Sequence, residues 1–224
     1  MKSNLWRIPA LFFLAAAVTN LLGHTSLAPS SISELVKPAL LPLLALTTLA
    51  AAGTPNIKGL KTILLAQLFG CTGDILLIPD GFLPFVFGML AFLLGHVCYI
   101  SVFGGRSLKK LGIGIWVIAV VIMVAAVAGL ILAIGIKGAM LAPMAVYGMA
   151  LMMLIFSTLM GVIRFGDKAW WILLCGALLF TFSDALIATN SFGVLPFEGK
   201  RFVIMLTYIL AQSLLAAGFL RLKK

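Results

Sequence analysis

Two aspartates interrupt stretches of sequence that are otherwise almost wholly apolar. Asp74 lies within the run 59–78 and Asp184 within the run 169–189. An ionisable group near the middle of a membrane costs about 2.5–3.5 kcal/mol to insert, and groups kept at that cost usually mark function. Two carboxyl groups in a low-dielectric site share a proton more readily than they both ionise, which suits them to acid–base chemistry. Other polar side chains can reach the same layer: Lys37, Tyr147, Tyr208 and, four residues on, Gln212. Gln67, Cys71 and Asp74 form one stripe, Thr181 precedes Asp184 by one turn, and Ser183 sits directly beside it. His96 and Tyr99 share a helix face but are expected deeper, toward the cytoplasmic half of their span. A purely structural reading stands beside the chemical one. One aspartate could pair with Lys37 and the other accept from Tyr208 or Gln212, joining helices, and Lys37 could simply snorkel.

The elements that carry these residues follow from composition. The chain is 63% hydrophobic and only 10% charged, where a soluble domain would hold roughly a quarter charged residues. Its six acids, Glu34, Asp74, Asp80, Asp167, Asp184 and Glu198, cannot cover a water-facing surface. A helix crosses the hydrocarbon core in about 20 residues. Apolar runs between Gly, Pro, Asn and charged breaks give eight spans, approximately 5–22, 36–53, 59–78, 82–103, 111–134, 139–163, 169–189 and 201–220. The expected fold is an all-α polytopic membrane bundle in one integral membrane domain covering 1–224. Lys37 would open the second span.

Orientation follows from basic residues in the short loops. With the N-terminus cytoplasmic, the inner side holds Lys2, Arg7, Lys58, Lys61, Arg106, Lys109, Lys110, Arg164, Lys168, Arg221, Lys223 and Lys224. The outer side holds Lys37, Lys137, Lys200 and Arg201, so the count is twelve against four. Both termini are then cytoplasmic and a bacterial inner membrane is the expected location. Asp74 falls four residues, and Asp184 five, from the outer ends of their spans. At 1.5 Å per residue both carboxyl groups lie about 6–8 Å below the outer boundary. The first span could alternatively be a signal peptide cleaved near Ser26-Leu-Ala28, but its length suits a full crossing. Gly73-Asp-Ile-Leu-Leu77 resembles Ser183-Asp-Ala-Leu-Ile187, and Lys37-Pro38 has a counterpart in Ala142-Pro143. Both pairs are four spans apart, the pattern of two parallel four-helix repeats.

Several functions are excluded. The net charge of +10 is scattered in short runs between spans rather than gathered on one face, so nucleic acid is not an expected partner. Cys71, Cys98 and Cys175 all lie inside apolar runs, with neither disulfide nor zinc spacing. No Gly-x-Ser-x-Gly elbow, His-Glu-x-x-His motif or P-loop occurs. His24 and His96 are the only histidines. No metal or cofactor is implied.

At these residues the chain resembles the YhhN-type membrane proteins, which include the lysoplasmalogenases. The matching stretches are Val36-Lys-Pro38, Gly73-Asp-Ile-Leu-Leu77, Phe87-Gly-Met-Leu-Ala-Phe-Leu-Leu-Gly-His-Val-Cys-Tyr99, Leu179-Phe-Thr-Phe-Ser-Asp-Ala-Leu186 and Tyr208-Ile-Leu-Ala-Gln212. Each is weak alone, but their order and spacing cover nearly the whole chain. The resemblance implies a lipid hydrolase that cleaves the vinyl ether bond of a lysoplasmalogen. A fatty aldehyde and glycerophosphoethanolamine or glycerophosphocholine would be released. The family's paired aspartates would correspond to Asp74 and Asp184. Protonation of a vinyl ether gives an oxocarbenium ion, as in glycoside hydrolysis, where an acid and an ionised carboxylate flank such a cation. One aspartate would donate the proton; the other would stabilise the cation and position or deprotonate water. The sequence leaves open which does which. Lys37 would hold the lipid phosphate, Tyr147, Tyr208 and Gln212 would orient the carboxyl groups or water, and His96, Tyr99 and Ser183 would support the pocket. The expected partners are a lysophospholipid substrate and membrane lipids, while oligomeric state, head-group and chain preference stay open. Two other readings fit the same residues: a proton-coupled transporter, drawn from the intramembrane acids and the repeat, and a non-catalytic lipid-binding protein.

Overall fold

In lipid every backbone polar group must be satisfied within the chain, so long apolar runs fold as helices. The computed structural model describes residues 4–222, which form eight α-helices and no strand. These are α1 (Arg7–Leu22), α2 (Ser30–Ala52), α3 (Leu60–Leu76), α4 (Phe82–Ser107), α5 (Ile113–Ile134), α6 (Leu141–Phe165), α7 (Lys168–Ser191) and α8 (Lys200–Leu222). Short 3-10 turns, Asn4–Trp6 and Gly138–Met140, lead into α1 and α6. All but α3 are long and apolar enough to cross a membrane, counting those turns with their helices. At 17 residues α3 is the shortest but one, and it ends two residues after Asp74. The chain is an integral membrane protein. Lys2, Lys223 and Lys224, which enter the charge tally, lie outside the described residues.

Helix ends are written by local chemistry. Gly166 closes α6 in the left-handed region at φ 68°, a conformation glycine adopts without strain. The next residue, Asp167, caps α7 by accepting from the N–H groups of Ala169 and Trp170 at 2.9 and 3.2 Å. Two residues therefore turn the chain through the membrane face. At the same end, Arg164 donates to the carbonyl of Lys109 at 2.7 Å and Arg106 to that of Leu222 at 3.3 Å. These basic residues cover chain carbonyls just past the ends of α4 and near the end of α8.

Six helices close a ring in the order α2, α3, α4, α6, α7, α8 and back to α2. Neighbours along the ring are antiparallel except at α4–α6 and α8–α2. A shift of four helices converts one of those two contacts into the other, as a parallel four-helix duplication would require. The remaining helices lie outside the ring: α1 against α2 and α8, and α5 chiefly against α6. Their sequences explain the position. Ile113, Val117, Ile118, Val121, Ile122 and Leu132 of α5 are all exposed, with no polar stripe to turn inward. Asn20 ties α1 to the ring by donating to the carbonyl of Ser33 at 2.9 Å.

Two sequence-based expectations change. The second helix begins at Ser30 rather than near 36, so Lys37 lies two turns inside it. Hydropathy detects only the apolar part of a span, while the polar turn Ser30–Glu34 continues the same helix beyond it. The seventh helix continues through Ser191, and α3 ends at Leu76. Counted along the helices, Asp74 and Asp184 therefore lie two and seven residues from the ends rather than four and five.

Packing at the far end from the aspartates is tight enough to test. A Cβ on Gly161 would fall within the indole of Trp170, which is buried and stacked on Phe165 with ring centroids 5.5 Å apart. Overfilling a packed core costs about 1–3 kcal/mol. Gly161→Ala is expected to lower the melting temperature of the detergent-solubilised protein by several degrees. Gly129→Ala on α5, where a Cβ meets open space, is expected to cause no loss.

Candidate functional site: two aspartates between a polar chamber and an apolar slot

Each ring helix contributes a polar side chain to one end of the bundle. Asp74 on α3 is 2% exposed. The Lys37 ammonium of α2 lies 3.6 Å from its Oδ1, and the Tyr208 hydroxyl of α8 donates to its Oδ2 at 2.8 Å. Proline placement helps aim Lys37. Pro42 lacks an N–H, so the carbonyl of Pro38 has no helical donor. Cys71 supplies one through its thiol at 3.3 Å. Cys71 and Asp74 are three residues apart and share a face of α3, so one face engages both Pro38 and the adjacent Lys37. Gly70 gives α8 room on that face: a Cβ there would stand 3.4 Å from the Tyr208 hydroxyl and 3.5 Å from Gln212 Nε2.

Asp184 on α7 has a matching arrangement with different chemistry. Tyr147 of α6 donates a short hydrogen bond to its Oδ2, and His96 of α4 points Nε2 at the same oxygen from 3.9 Å. The ring's other nitrogen decides the tautomer. His96 Nδ1 is 2.7 Å from the carbonyl of Phe92, and a carbonyl only accepts, so Nδ1 carries the hydrogen. Nε2, buried and without a hydrogen-bond partner, points toward Asp184. Asp74 is thus held by α2 and α8, and Asp184 by α6 and α4. A shift of four helices relates the two sets. What differs is the partner: a lysine ammonium stands beside Asp74, and a phenol and an imidazole stand beside Asp184.

Aromatic rings fill the space between these groups. Phe92, Phe180 and Tyr208 meet edge to face in a triangle with centroids 5.6–6.4 Å apart, and His96 lies 4.6 Å from Phe180 and 5.5 Å from Tyr147. Two cavities flank the cluster. A polar chamber of about 590 Å³ opens at the bundle end and reaches Lys37, Asp74 and Tyr208. A narrow slot of about 70 Å³ runs between α4, α5, α6 and α7, is walled almost wholly by apolar side chains, and reaches Tyr147 and Asp184. Leu77, Phe85, Phe92 and Ile187 line both. The aspartates therefore face a junction between a polar and an apolar compartment.

The other expected site residues divide. Tyr99 donates to Gln212 Oε1 at 2.6 Å, an α4–α8 bond next to Tyr208 but without contact to either carboxyl group. Ser183 faces away from the site and donates to the carbonyl of Ile204 at 3.0 Å, joining α7 to α8. Thr181 lines the slot but bonds its own helix, at the carbonyl of Ala177. His96 is as far along α4 as expected and still stands beside Asp184, because α7 carries its aspartate well inside the bundle. Lys37 does not snorkel but turns inward to Asp74. Phe92 and Phe180 were not singled out, and neither were His24 and Arg201 on the chamber wall. Burial holds the His24 imidazole below its usual range; the charges of Arg201 and Lys37 act in the same direction and Glu34 opposes them. Among the described residues, no three His, Cys, Asp or Glu side chains converge as metal ligands do.

Fold and site together define a polytopic helical membrane protein with paired intramembrane carboxyl groups at the meeting point of two compartments. The chain belongs to the YhhN family, whose sequence profile matches residues 32–219. It is similar to lysoplasmalogenase TMEM86B of Mus musculus, 33% identical over 96% of this chain and 87% of the relative. It is also similar to the lysoplasmalogenase of Mycobacterium tuberculosis, 32% identical over 90% of this chain and 73% of the relative. Human lysoplasmalogenase TMEM86A is 32% identical over 92% of this chain and 85% of that protein. No solved structure matches.

The Lys37–Asp74 pair carries its own test. Breaking a buried ion pair by removing one partner costs about 3–5 kcal/mol, because it leaves a charge uncompensated. Lys37→Met is expected to lower thermal stability in detergent by that amount. The double variant Lys37→Met/Asp74→Asn should be more stable than Lys37→Met alone, the non-additivity that marks a direct pair.

Proposed function

We propose that this protein is a membrane hydrolase that cleaves the vinyl ether bond of a lysoplasmalogen, with Asp184 as proton donor and Asp74 as the anion that stabilises the cation. The observation that carries this reading is the unequal partnership of two otherwise matching aspartates. A buried carboxylate needs a countercharge, and Lys37 stands ready to supply one to Asp74. Asp184 has no lysine or arginine beside it, only the Tyr147 hydroxyl and the His96 imidazole, and is the group to carry the transferable proton. Environments that separate two carboxyl groups in this way are how acid and base roles are divided in known pairs.

The substrate would span the junction. Its alkenyl chain would lie in the slot, its glycerol near Phe92 and Leu77, and its head group in the polar chamber. Asp184 gives its proton to the outer alkene carbon, and the electron pair of the double bond forms the new C–H bond. The ether oxygen shares the resulting positive charge, which the Asp74 carboxylate stabilises. Water then adds to the oxocarbenium carbon and its proton returns to Asp184. Finally the hemiacetal collapses: its hydroxyl gives up a proton, the C–O bond to glycerol breaks, and the glycerol oxygen takes a proton. One water is consumed, and a fatty aldehyde and glycerophosphoethanolamine or glycerophosphocholine are released. Tyr147 and His96 position Asp184, while Tyr208 positions Asp74. The preponderance of Lys and Arg at the opposite end supports an outer-face position for the chamber, in bacteria the periplasmic side. That the relatives are named as hydrolases favours catalysis over transport or passive lipid binding.

Purified protein is expected to release aldehyde from a lysoplasmalogen, and Asp74→Asn and Asp184→Asn each to reduce turnover by at least a hundredfold. Chemical rescue separates the roles. Acetic acid should rescue Asp184→Ala in proportion to its protonated form, so that rescue fades as pH rises. For Asp74→Ala it should follow the acetate anion and grow as pH rises. The opposite pattern would reverse the assignment, and full activity in both Asn variants would remove the aspartates from the mechanism.

A further inference from the structure

The polar chamber carries charge that the proposed chemistry leaves unused. Its wall is assembled from four separate segments: His24 in the loop after α1, Glu34 and Lys37 on α2, Asp80 in the turn before α4, and Arg201 in the first turn of α8. Three of these side chains are basic, and His24 is close enough to both Lys37 and Arg201 to feel their charges. Like charges gathered around one cavity disfavour one another's ionised forms, and an anion between them reverses that cost. Lys37 is already engaged by Asp74. Neighbouring Lys200 is occupied elsewhere, donating to the carbonyls of Val194 and Leu195 at 2.9 and 3.2 Å. Arg201 makes no ion pair among the described residues and has a guanidinium fork that matches two oxygens of a phosphate.

We infer that His24 and Arg201 form an anion subsite that takes the phosphodiester of the lipid head group, and that this subsite, rather than Lys37, makes a phosphate-bearing lysolipid the preferred substrate. The inference rests on the hydrolase reading for its ligand and not for its site. The geometry is consistent along the whole molecule: chain in the slot, reacting bond at the shared wall of Leu77, Phe85, Phe92 and Ile187, phosphate further out in the chamber. Glu34 and Asp80 on the same wall supply negative charge for an ammonium group beyond the phosphate, so the chamber as a whole complements a zwitterion.

The test compares two vinyl ethers with the same chain, a lysoplasmalogen and the corresponding 1-alkenylglycerol without phosphate. In Arg201→Gln and in His24→Gln, the ratio of kcat/KM for the phosphate-bearing over the neutral substrate is expected to fall about tenfold or more, mainly through KM. Arg201→Lys should retain part of the preference, and it stands in if Arg201→Gln does not fold. An unchanged ratio overturns the subsite. Loss of inhibition by inorganic phosphate without a change in the ratio also overturns it, because the site would then serve free phosphate and not a lipid. Binding is read separately, from the shift in melting temperature with glycerophosphoethanolamine against glycerol. A shift in wild type that Arg201→Gln abolishes supports the subsite even if no vinyl ether is turned over, which would instead sink the hydrolase reading. No shift in wild type, with no preference for phosphate in turnover, overturns the inference.

Discussion

A carboxyl group inside an apolar bundle has to be provided for by its neighbours, and in this protein that requirement falls twice. Neither Asp74 nor Asp184 can be served by its own helix, since a helix in lipid has no spare donors along its length. Each instead draws one partner from an adjacent helix and one from across the ring: α2 and α8 for Asp74, α6 and α4 for Asp184. Those four helices, with the two that carry the aspartates, are the ones that close the ring. Neither α1 nor α5 bears a partner for a carboxyl group, and both lie outside. The architecture can be read as what two buried acids need around them.

The match of ring contacts under a shift of four helices gives this arrangement its economy and its asymmetry. A duplicated unit supplies two equivalent acid positions automatically, but equivalent acids would compete for the same protonation state. The two sets of neighbours differ in charge, the property that decides which of two acids ionises. On α2 the partner is an ammonium group reached from two turns inside the helix, with a proline-freed carbonyl and the Cys71 thiol locking the local geometry. On α6 the partner is a phenol, and on α4 an imidazole whose proton is committed to a backbone carbonyl. Symmetry makes the pair; its local breaking makes the pair useful.

How much of this could be read beforehand depended on whether a residue announced itself by type. The aspartates did, because an acid in an apolar run has few bland explanations. Lys37, Tyr147 and Tyr208 were also visible as polar groups at the right end of their helices. Their pairings were not, because sequence distance to a helix end says nothing about which neighbour a side chain meets. His96 illustrates the point: fifteenth in α4, it looks deep, yet α7 brings Asp184 to its level. Lys37 looked like a boundary residue because hydropathy begins at 36 while the helix begins at Ser30. Phe92 and Phe180 carried no signal at all, being two of sixteen phenylalanines in a chain rich in apolar residues. The unbroken apolar run of α5, with no polar face, marks a helix that meets lipid on most sides.

That outlying helix bears on how a lipid would reach the aspartates. The slot is walled on one side by Ala126, Val127, Leu130 and Ile131 of α5, and on the other by α4, α6 and α7. Because α5 packs chiefly on α6, its contact with the rest of the ring is the weakest seam in the wall. An alkyl chain entering through that seam exchanges one apolar environment for another and forfeits little hydrophobic stabilisation. A head group moving into the chamber likewise stays among polar groups. Neither end of an amphiphile has to cross into the wrong medium for its middle to arrive between Asp74 and Asp184. A soluble enzyme would have to extract the whole chain from the bilayer, at about 0.8 kcal/mol for each methylene. A ring of helices with an acid pair placed where its two compartments meet avoids that cost, which is a physical reason for such chemistry to be carried out inside the membrane.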